Sequence, residues 1–185
     1  MGEKTMLLPP LGETERLIIK DSTMDECVSL QQLNEKSDYI ADWVNWKTPP
    51  DYVYKGLTEG YLPPGGKKEQ FQSKSIYIKS THQLIGFSEL YHGYPEKDVF
   101  YIGWLFIHPD HQHNGYAQEL VDYLIGEAAK LGFTESRIGV HLKNWPALRF
   151  WTQLGFDKIL CIRGDKEYSE KTFSTISLQR KFGPS

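Results

Sequence analysis

His108-Pro109-Asp110-His111-Gln112-His113-Asn114-Gly115-Tyr116-Ala117 separates an apolar, strand-like run, Val99 to Ile107, from a long amphipathic pattern. A strand-to-helix junction of the form Gln-x-x-Gly-x-Ala suits a phosphate. Backbone N–H groups of the turn converge on the anion, and the positive end of the helix lies behind them. Gly115 has no Cβ, so the backbone can approach a ligand closely. Ala117 keeps the first helical turn small. Interactions at a helix end contribute roughly 0.3–1 kcal/mol each, and about 2 when partly buried, so several together would hold a diphosphate. Taken alone, the same residues also read as an ordinary glycine turn.

Beyond the turn, Ala117, Leu120, Val121, Leu124, Ile125 and Ala128 repeat at helical spacing, and Gly132 stops the helix. Arg137 to Leu142 alternates, with Ile138, Val140 and Leu142 on one face. Asn144 then caps a short helix. Pro146 lies in its first turn, Gly155 ends it, and Ala147, Phe150, Trp151 and Leu154 form its apolar face. Asp157 to Arg163 and Thr172 to Leu178 read as a closing hairpin. On the N-terminal side, Ser75–Lys79, Leu84–Tyr91 and Val99–Ile107 form a three-strand meander. Thr23-Met24-Asp25-Glu26 fits a capping box for a helix running toward Asn34, and Arg16 to Lys20 reads as a strand. A second helix is expected around Asp51–Gly60, closed by Pro63-Pro64-Gly65-Gly66. Residues 1–12 read as a loose leader and 13–183 as one domain. Strands in a run, followed by helix, strand, helix and hairpin, indicate a mixed α/β sheet.

Two motifs, Gln112-x-x-Gly115-x-Ala117 and Asn144-x-x-Ala147…Trp151-x-x-x-Gly155-Phe156, stand in the order and separation found in the GNAT superfamily of acetyl-CoA-dependent N-acetyltransferases. The chain resembles that family from about Ser75 to its end. Thr14-Glu15-Arg16-Leu17 also resembles the first strand of the branch that acetylates protein N-termini. The resemblance implies an α/β (α+β) GNAT fold: a mixed, strongly bent, seven-stranded sheet flanked by four helices. Its strands 4 and 5 would splay to admit a pantetheine arm. The implied reaction is transfer of the acetyl group of acetyl-CoA to a primary amine of a small molecule or a protein, by direct attack in a ternary complex. A catalytically silent acyl-CoA-binding sensor is the alternative from another class, and a fold unrelated to CoA with accidental motifs is a third.

By resemblance, the diphosphate falls to the backbone of Gln112, His113, Asn114, Gly115, Tyr116, Ala117 and Gln118. The pantetheine amides fall to the strand backbone at Leu105, Phe106 and Ile107, pairing like an added strand. The Leu105 N–H would stabilise the developing oxyanion. Asn144 would add a polar contact to the pantetheine or simply cap its helix. Two positions depart from the family. Trp151 stands where many members carry a tyrosine acid, and indole is a poor proton donor to a thiolate. Tyr101 stands where others carry a glutamate base. Tyr101 is therefore the first replacement candidate, with a core or edge tyrosine as its competing reading. His141 is the second. Glu89 and His108 also lie on or beside the central strands as further candidate acids or bases, with a solvent-facing position as the competing reading of Glu89. An amine of pKa near 10.4 is neutral in roughly one molecule in 2,500 at pH 7, a cost of about 4.6 kcal/mol, against about 1 kcal/mol for an α-amine. With no base in the usual place, a low-pKa amine or water-mediated deprotonation is favoured.

The formal charge of -3 leaves no basic footprint for nucleic acid. Cys27 and Cys161 are far apart and fit a reducing compartment. No signal peptide or membrane-length apolar segment is read, so a cytoplasmic monomer or homodimer is expected. His108-x-x-His111-x-His113 surrounds a Pro-Asp turn without a carboxylate or cysteine partner pattern, so no metal is expected. Trp43, Trp46, Tyr52, Tyr54 and Tyr61 cluster in the acceptor region. They would either pack the first helices or bind an ammonium by cation–π contact.

Overall fold

The apolar runs of this chain assemble into one sheet covered by helices on both faces. A computed structural model describes residues 6–183. In order the elements are β1 (Leu11–Glu13), β2 (Leu17–Asp21), α1 (Cys27–Glu35), α2 (Ala41–Val44), α3 (Tyr52–Thr58), β3 (Phe71–Ile78), β4 (Leu84–His92) and β5 (Val99–Ile107). Then follow α4 (Tyr116–Lys130), β6 (Glu135–His141), α5 (Trp145–Gln153), β7 (Lys158–Gly164) and β8 (Ser174–Lys181). The sheet order is β1-β2-β3-β4-β5-β6-β8-β7. Neighbours are antiparallel except β5 and β6, which run parallel because α4 carries the chain back between them.

Alternation along the central strands divides the core in two. Ile85, Leu90, Phe100, Ile102 and Ile107 pack with Leu120, Leu124 and Ala128 of α4 and with Trp151 and Phe156. Phe87 and Phe106 point the other way, against Leu30 and Leu33 of α1 and Tyr52 and Val53 of α3. That second, smaller cluster lies between the sheet and the first helices.

The class matches the expectation, with eight strands instead of seven. The additional strand, β1, lies in the expected leader. That segment is pinned from Leu8 onward: Leu8 is 2% exposed, and its carbonyl accepts a hydrogen bond from Gln72 Nε2 at 3.0 Å. The Pro9 carbonyl accepts from Lys74 Nζ at 2.5 Å. Residues 1–5 lie outside the described residues. The same contacts explain why β3 begins at Phe71 and not at Ser75. Gln72, Ser73 and Lys74 are polar yet buried, so the alternation that marks a strand is missing there. Lys74 is tolerated in the interior because Asp21 stands 2.6 Å from its ammonium. The Glu26 carboxylate accepts from the Thr23 N–H at 2.9 Å, closing the turn that leads into α1. Among the described residues no helix is long and apolar enough to cross a membrane.

Candidate active site

The turn between β5 and α4 is built for close approach. His113 and Gly115 adopt left-handed backbone conformations, with φ of 61° and 80°. Gln112 does not reach outward: its Nε2 donates to the Ile107 carbonyl at 2.8 Å. Asn114 Nδ2 donates to the Gln112 carbonyl at 2.9 Å. These side-chain hydrogen bonds fold back onto the turn's own carbonyls and leave its backbone N–H groups unclaimed by them. Gly115 is the N-cap of α4 and supplies no side-chain cap, so the first-turn N–H groups of Tyr116, Ala117 and Gln118 have no intrahelical partner. This arrangement fits the diphosphate of a CoA ester.

Arg16, from the segment before β2, braces the turn. Its Nη1 donates to the Asn114 carbonyl at 2.9 Å, its Nε pairs with Glu119 at 2.7 Å, and its guanidinium lies 4.6 Å from the centre of the Tyr116 ring. Thr14 donates its hydroxyl to the same Glu119 at 2.5 Å. The Thr14-x-Arg16 pattern is thereby tied directly to the turn between β5 and α4.

Next to the turn the sheet opens. β5 pairs with β6 only at Val99↔Glu135, Phe100↔Ser136 and Tyr101↔Arg137. Two residues later Gly103 forms a bulge, since Glu89 faces Trp104 and Leu90 faces Ile102. A bulge adds local twist and bends the strand that carries it. The edge of β5 from Trp104 to Ile107 is thus left without a parallel neighbour on its β6 side. This is the expected splay, between β5 and β6 here because β1 shifts the count by one.

On the side of α1 and α3 lies a cavity of about 820 Å³, lined by residues that include Trp46, Tyr52, Tyr61, Glu89, Tyr101 and Trp104. Glu89 corrects the solvent-facing reading: it is 5% exposed and does not face solvent. It shares the inward face of β4 with Phe87. Tyr52 donates its hydroxyl to Glu89 Oε2 at 2.7 Å, and Oε1 is buried without a hydrogen-bond partner. Burial pushes the Glu89 carboxyl up to about 7, against the smaller opposing effects of the Tyr52 hydrogen bond and the Lys68 charge. Burial and the Glu89 charge likewise raise the Tyr61 hydroxyl to about 12.

The other candidates divide. Tyr101 lines the cavity, and its hydroxyl reaches across to Gly139 of β6, where an added Cβ would stand 3.1 Å away. Burial raises its pKa. Leu105 follows Trp104 on the unpaired edge, while the Phe106 side chain packs into the smaller core. Trp151 is 8% exposed and stacks edge-on with Phe150 and Phe156, so the structure places it in the core and off the cavity lining. Its size and apolar surface decide that position. His141 is also off the lining; burial lowers its pKa and leaves Nδ1 without a partner. Asn144 Oδ1 accepts from the Ala147 N–H at 3.2 Å, the helix-capping role. Of the five clustered aromatics, Trp46, Tyr52 and Tyr61 line the cavity and Trp43 and Tyr54 do not; Trp43, Tyr54 and Tyr61 are all partly open to solvent. His108 and His111 stack edge-on at 6.0 Å, and no group of three or more metal-ligating side chains is assembled among the described residues.

A sheet parted beside an uncapped helix start, with a carboxylate-bearing cavity across the opening, is the architecture of an acyltransferase. The model of the acetyltransferase (GNAT) family matches residues 37–156, and the chain belongs to that family. No curated protein matches it significantly. Among solved structures, an acetyltransferase from Salmonella typhimurium that modifies the N-terminal serine of ribosomal protein L7/L12 superposes with a TM-score of 0.74 at 13% identity, covering 92% of this chain and 97% of that one. A GCN5-related N-acetyltransferase from Brucella melitensis gives 0.73 at 15% identity, covering 94% and 81%. The ribosomal-protein-S18-alanine N-acetyltransferase of Escherichia coli gives 0.67 at 14%, covering 91% and 96%. At these identities the likeness is one of fold.

Proposed function

We propose that this N-acetyltransferase moves the acetyl group of acetyl-CoA to a primary amine with Glu89 as the base. The observation that carries the reading is a buried carboxylate, half unpartnered, on the wall of the cavity beside the parted strands. Acetyl-CoA supplies an acetyl thioester when bound. The main chain from Gln112 to Gln118 would hold its diphosphate, with Arg16 keeping the Asn114 carbonyl turned inward. The free edge from Leu105 to Ile107 would pair with the pantetheine amides, and the Leu105 N–H would face the charge developing on the acetyl oxygen.

An amine arrives largely as its ammonium form and must lose a proton before it attacks. Glu89 accepts that proton while Tyr52 fixes the carboxylate from the opposite side. A base with a pKa near 7 combines adequate strength with adequate ionised population at neutral pH. Such a base gives the proton a place to go, while a strongly basic amine still costs more to neutralise than an α-amine. Tyr101 is the proton donor proposed for the departing thiolate.

Thiol release with acetyl-CoA and a panel of primary amines tests the reading. The kcat/KM profile should rise with pH through about 7, as the carboxyl loses its proton. Glu89→Gln should abolish that limb and lower kcat/KM by about 10²–10⁴. Tight CoA binding with no thiol release for any amine would replace this reading with the silent acyl-CoA-binding module.

A further inference from the structure

We propose that the acceptor is a small monoamine, a single primary ammonium on an apolar, ring-bearing body, with its nitrogen beside Glu89 and its carbon body against Trp46, Tyr61 and Trp104. The inference rests on the acetyl-transfer reading and names the substrate that site takes.

The chemistry of the walls supports it. Tyr52 and Tyr61 stack with centroids 4.4 Å apart and planes 17° from parallel, while Trp46 meets Trp104 edge-on at 5.6 Å and Tyr52 at 5.2 Å. The polar ends of Tyr52, Tyr61 and Trp104 are already engaged. Trp104 Nε1 donates to Asn34 Oδ1 at 2.9 Å, Tyr61 donates to the Tyr52 carbonyl at 3.0 Å, and Tyr52 donates to Glu89. What these rings present to a ligand is their faces and edges. Aromatic faces attract a cation and give apolar bodies a large contact area.

Charge counting limits the ligand further. The charged lining residues are Lys55, Glu59 and Glu89. With Glu89 ionised, with Asp51 paired to Lys55 at 2.7 Å and with the Lys68 charge acting on Glu89, the five groups sum to one negative charge. One cation balances this; the extra charges of a polyamine would find no second buried carboxylate. A peptide is equally ill suited. Its backbone needs hydrogen-bonding partners, and the strand edge left free at the site, on β5, is the one assigned to the pantetheine, while β4 and β5 pair with each other. The cavity of about 820 Å³ lies within the range of roughly 300–1,000 Å³ typical of small-molecule sites.

The test uses the full chain with phenethylamine, spermidine, a serine-initiated tetrapeptide and neutral 2-phenylethanol. Thiol release measures turnover; quenching of tryptophan fluorescence in the presence of CoA measures binding independently. Phenethylamine should exceed the tetrapeptide and spermidine in kcat/KM by 100-fold or more. It should bind at least 10-fold more tightly than 2-phenylethanol, and Glu89→Gln should erase that difference. Trp46→Leu should weaken phenethylamine binding at least 5-fold, whereas Trp46→Phe, which keeps a ring, should restore most of it. Preference for the peptide or for spermidine, or equal binding of amine and alcohol, would overturn the acceptor class while leaving acetyl transfer intact. Charge-dependent binding of phenethylamine without acetylation of any amine would leave the acceptor class standing and sink the transfer reading.

Discussion

Tyr52 and Glu89 are joined by a 2.7 Å hydrogen bond that satisfies one carboxylate oxygen and leaves the other buried and unpartnered. The pair comes from α3 and β4, so it fixes the helical side of the cavity relative to the sheet. A buried carboxylate with one partner is costly to ionise, and the raised pKa expresses that cost.

Its consequence for stability has a definite sign. The Glu89 pKa rises from 4.5 to about 7 on folding, so the native state holds its proton more tightly than the unfolded chain does. Stability is therefore lost as pH climbs from about 4.5 to about 7, and the loss persists above that. Glu89→Gln removes the titration while keeping an acceptor for Tyr52. The variant should match the wild type at pH 5 and exceed it at pH 8 by roughly 1–3 kcal/mol, several degrees in Tm. Thermal melts at the two pH values decide; an unchanged difference between them would show that Glu89 is ionised throughout.

Gly56 allows the carboxylate to sit where it does. A Cβ at Gly56 would stand 3.2 Å from Glu89 Oε1 and 3.4 Å from the Tyr61 ring. Alanine is favoured over glycine inside a helix by about 1 kcal/mol, which should offset the crowding. Gly56→Ala should thus keep its Tm within a few degrees and lose about 10-fold or more in kcat/KM, as Glu89 is pushed aside. Steady-state kinetics beside a melt separates that outcome from simple destabilisation.

The turn between β5 and α4 and its helix were readable in the sequence because they depend on local chemistry: Gly115 at a positive φ, an apolar repeat from Ala117 to Ala128, a stop at Gly132. The burial of Glu89, one of the candidate acids or bases, was not readable. Its inward direction follows from the alternation with Phe87, but its burial depends on α3 and the Tyr61 segment folding over β4, a long-range event without a local signature. Trp151 shows the reverse case. Its place in the family pattern points to the site, and its bulk, at helical spacing with Ala147 and Leu154, also packs in the core. The pinned segment before β1 depends on Lys74 and Gln72, polar residues whose partners lie more than sixty positions away in sequence.

Arg16 should matter to cofactor binding without touching the acetyl group. Its hydrogen bond to the Asn114 carbonyl and its pairing with Glu119 hold the turn in shape. Hydrogen bonds to charged groups contribute about 1.5–3 kcal/mol, so Arg16→Ala should raise the KM for acetyl-CoA by roughly 10–100-fold. The kcat at saturation should stay within about threefold. Arg16→Lys should recover only part of the loss, because an ammonium cannot serve the carbonyl and the carboxylate with the same planar fork. An equal fall in kcat would mean that Arg16 acts on the chemistry and not on the turn.

Gly115 offers the sharpest test of where the diphosphate lies. Its φ of 80° disfavours any side chain, and an added Cβ would meet only Arg16 Nη2, at 3.3 Å. Gly115→Ala should cost roughly 1–2 kcal/mol of backbone strain while keeping measurable CoA binding, since the arginine tip can shift. Gly115→Glu adds the same strain together with a carboxylate at the mouth of the turn, opposed to a bound anion. A ligand at 100 times its Kd stabilises the native state by about 2.7 kcal/mol, several degrees in Tm for a chain of this size. That CoA-induced rise should persist in part for Gly115→Ala and vanish for Gly115→Glu. Because both variants share the glycine's loss, the difference between them isolates charge and bulk from backbone strain. An undiminished rise in Gly115→Glu would place the diphosphate away from this turn.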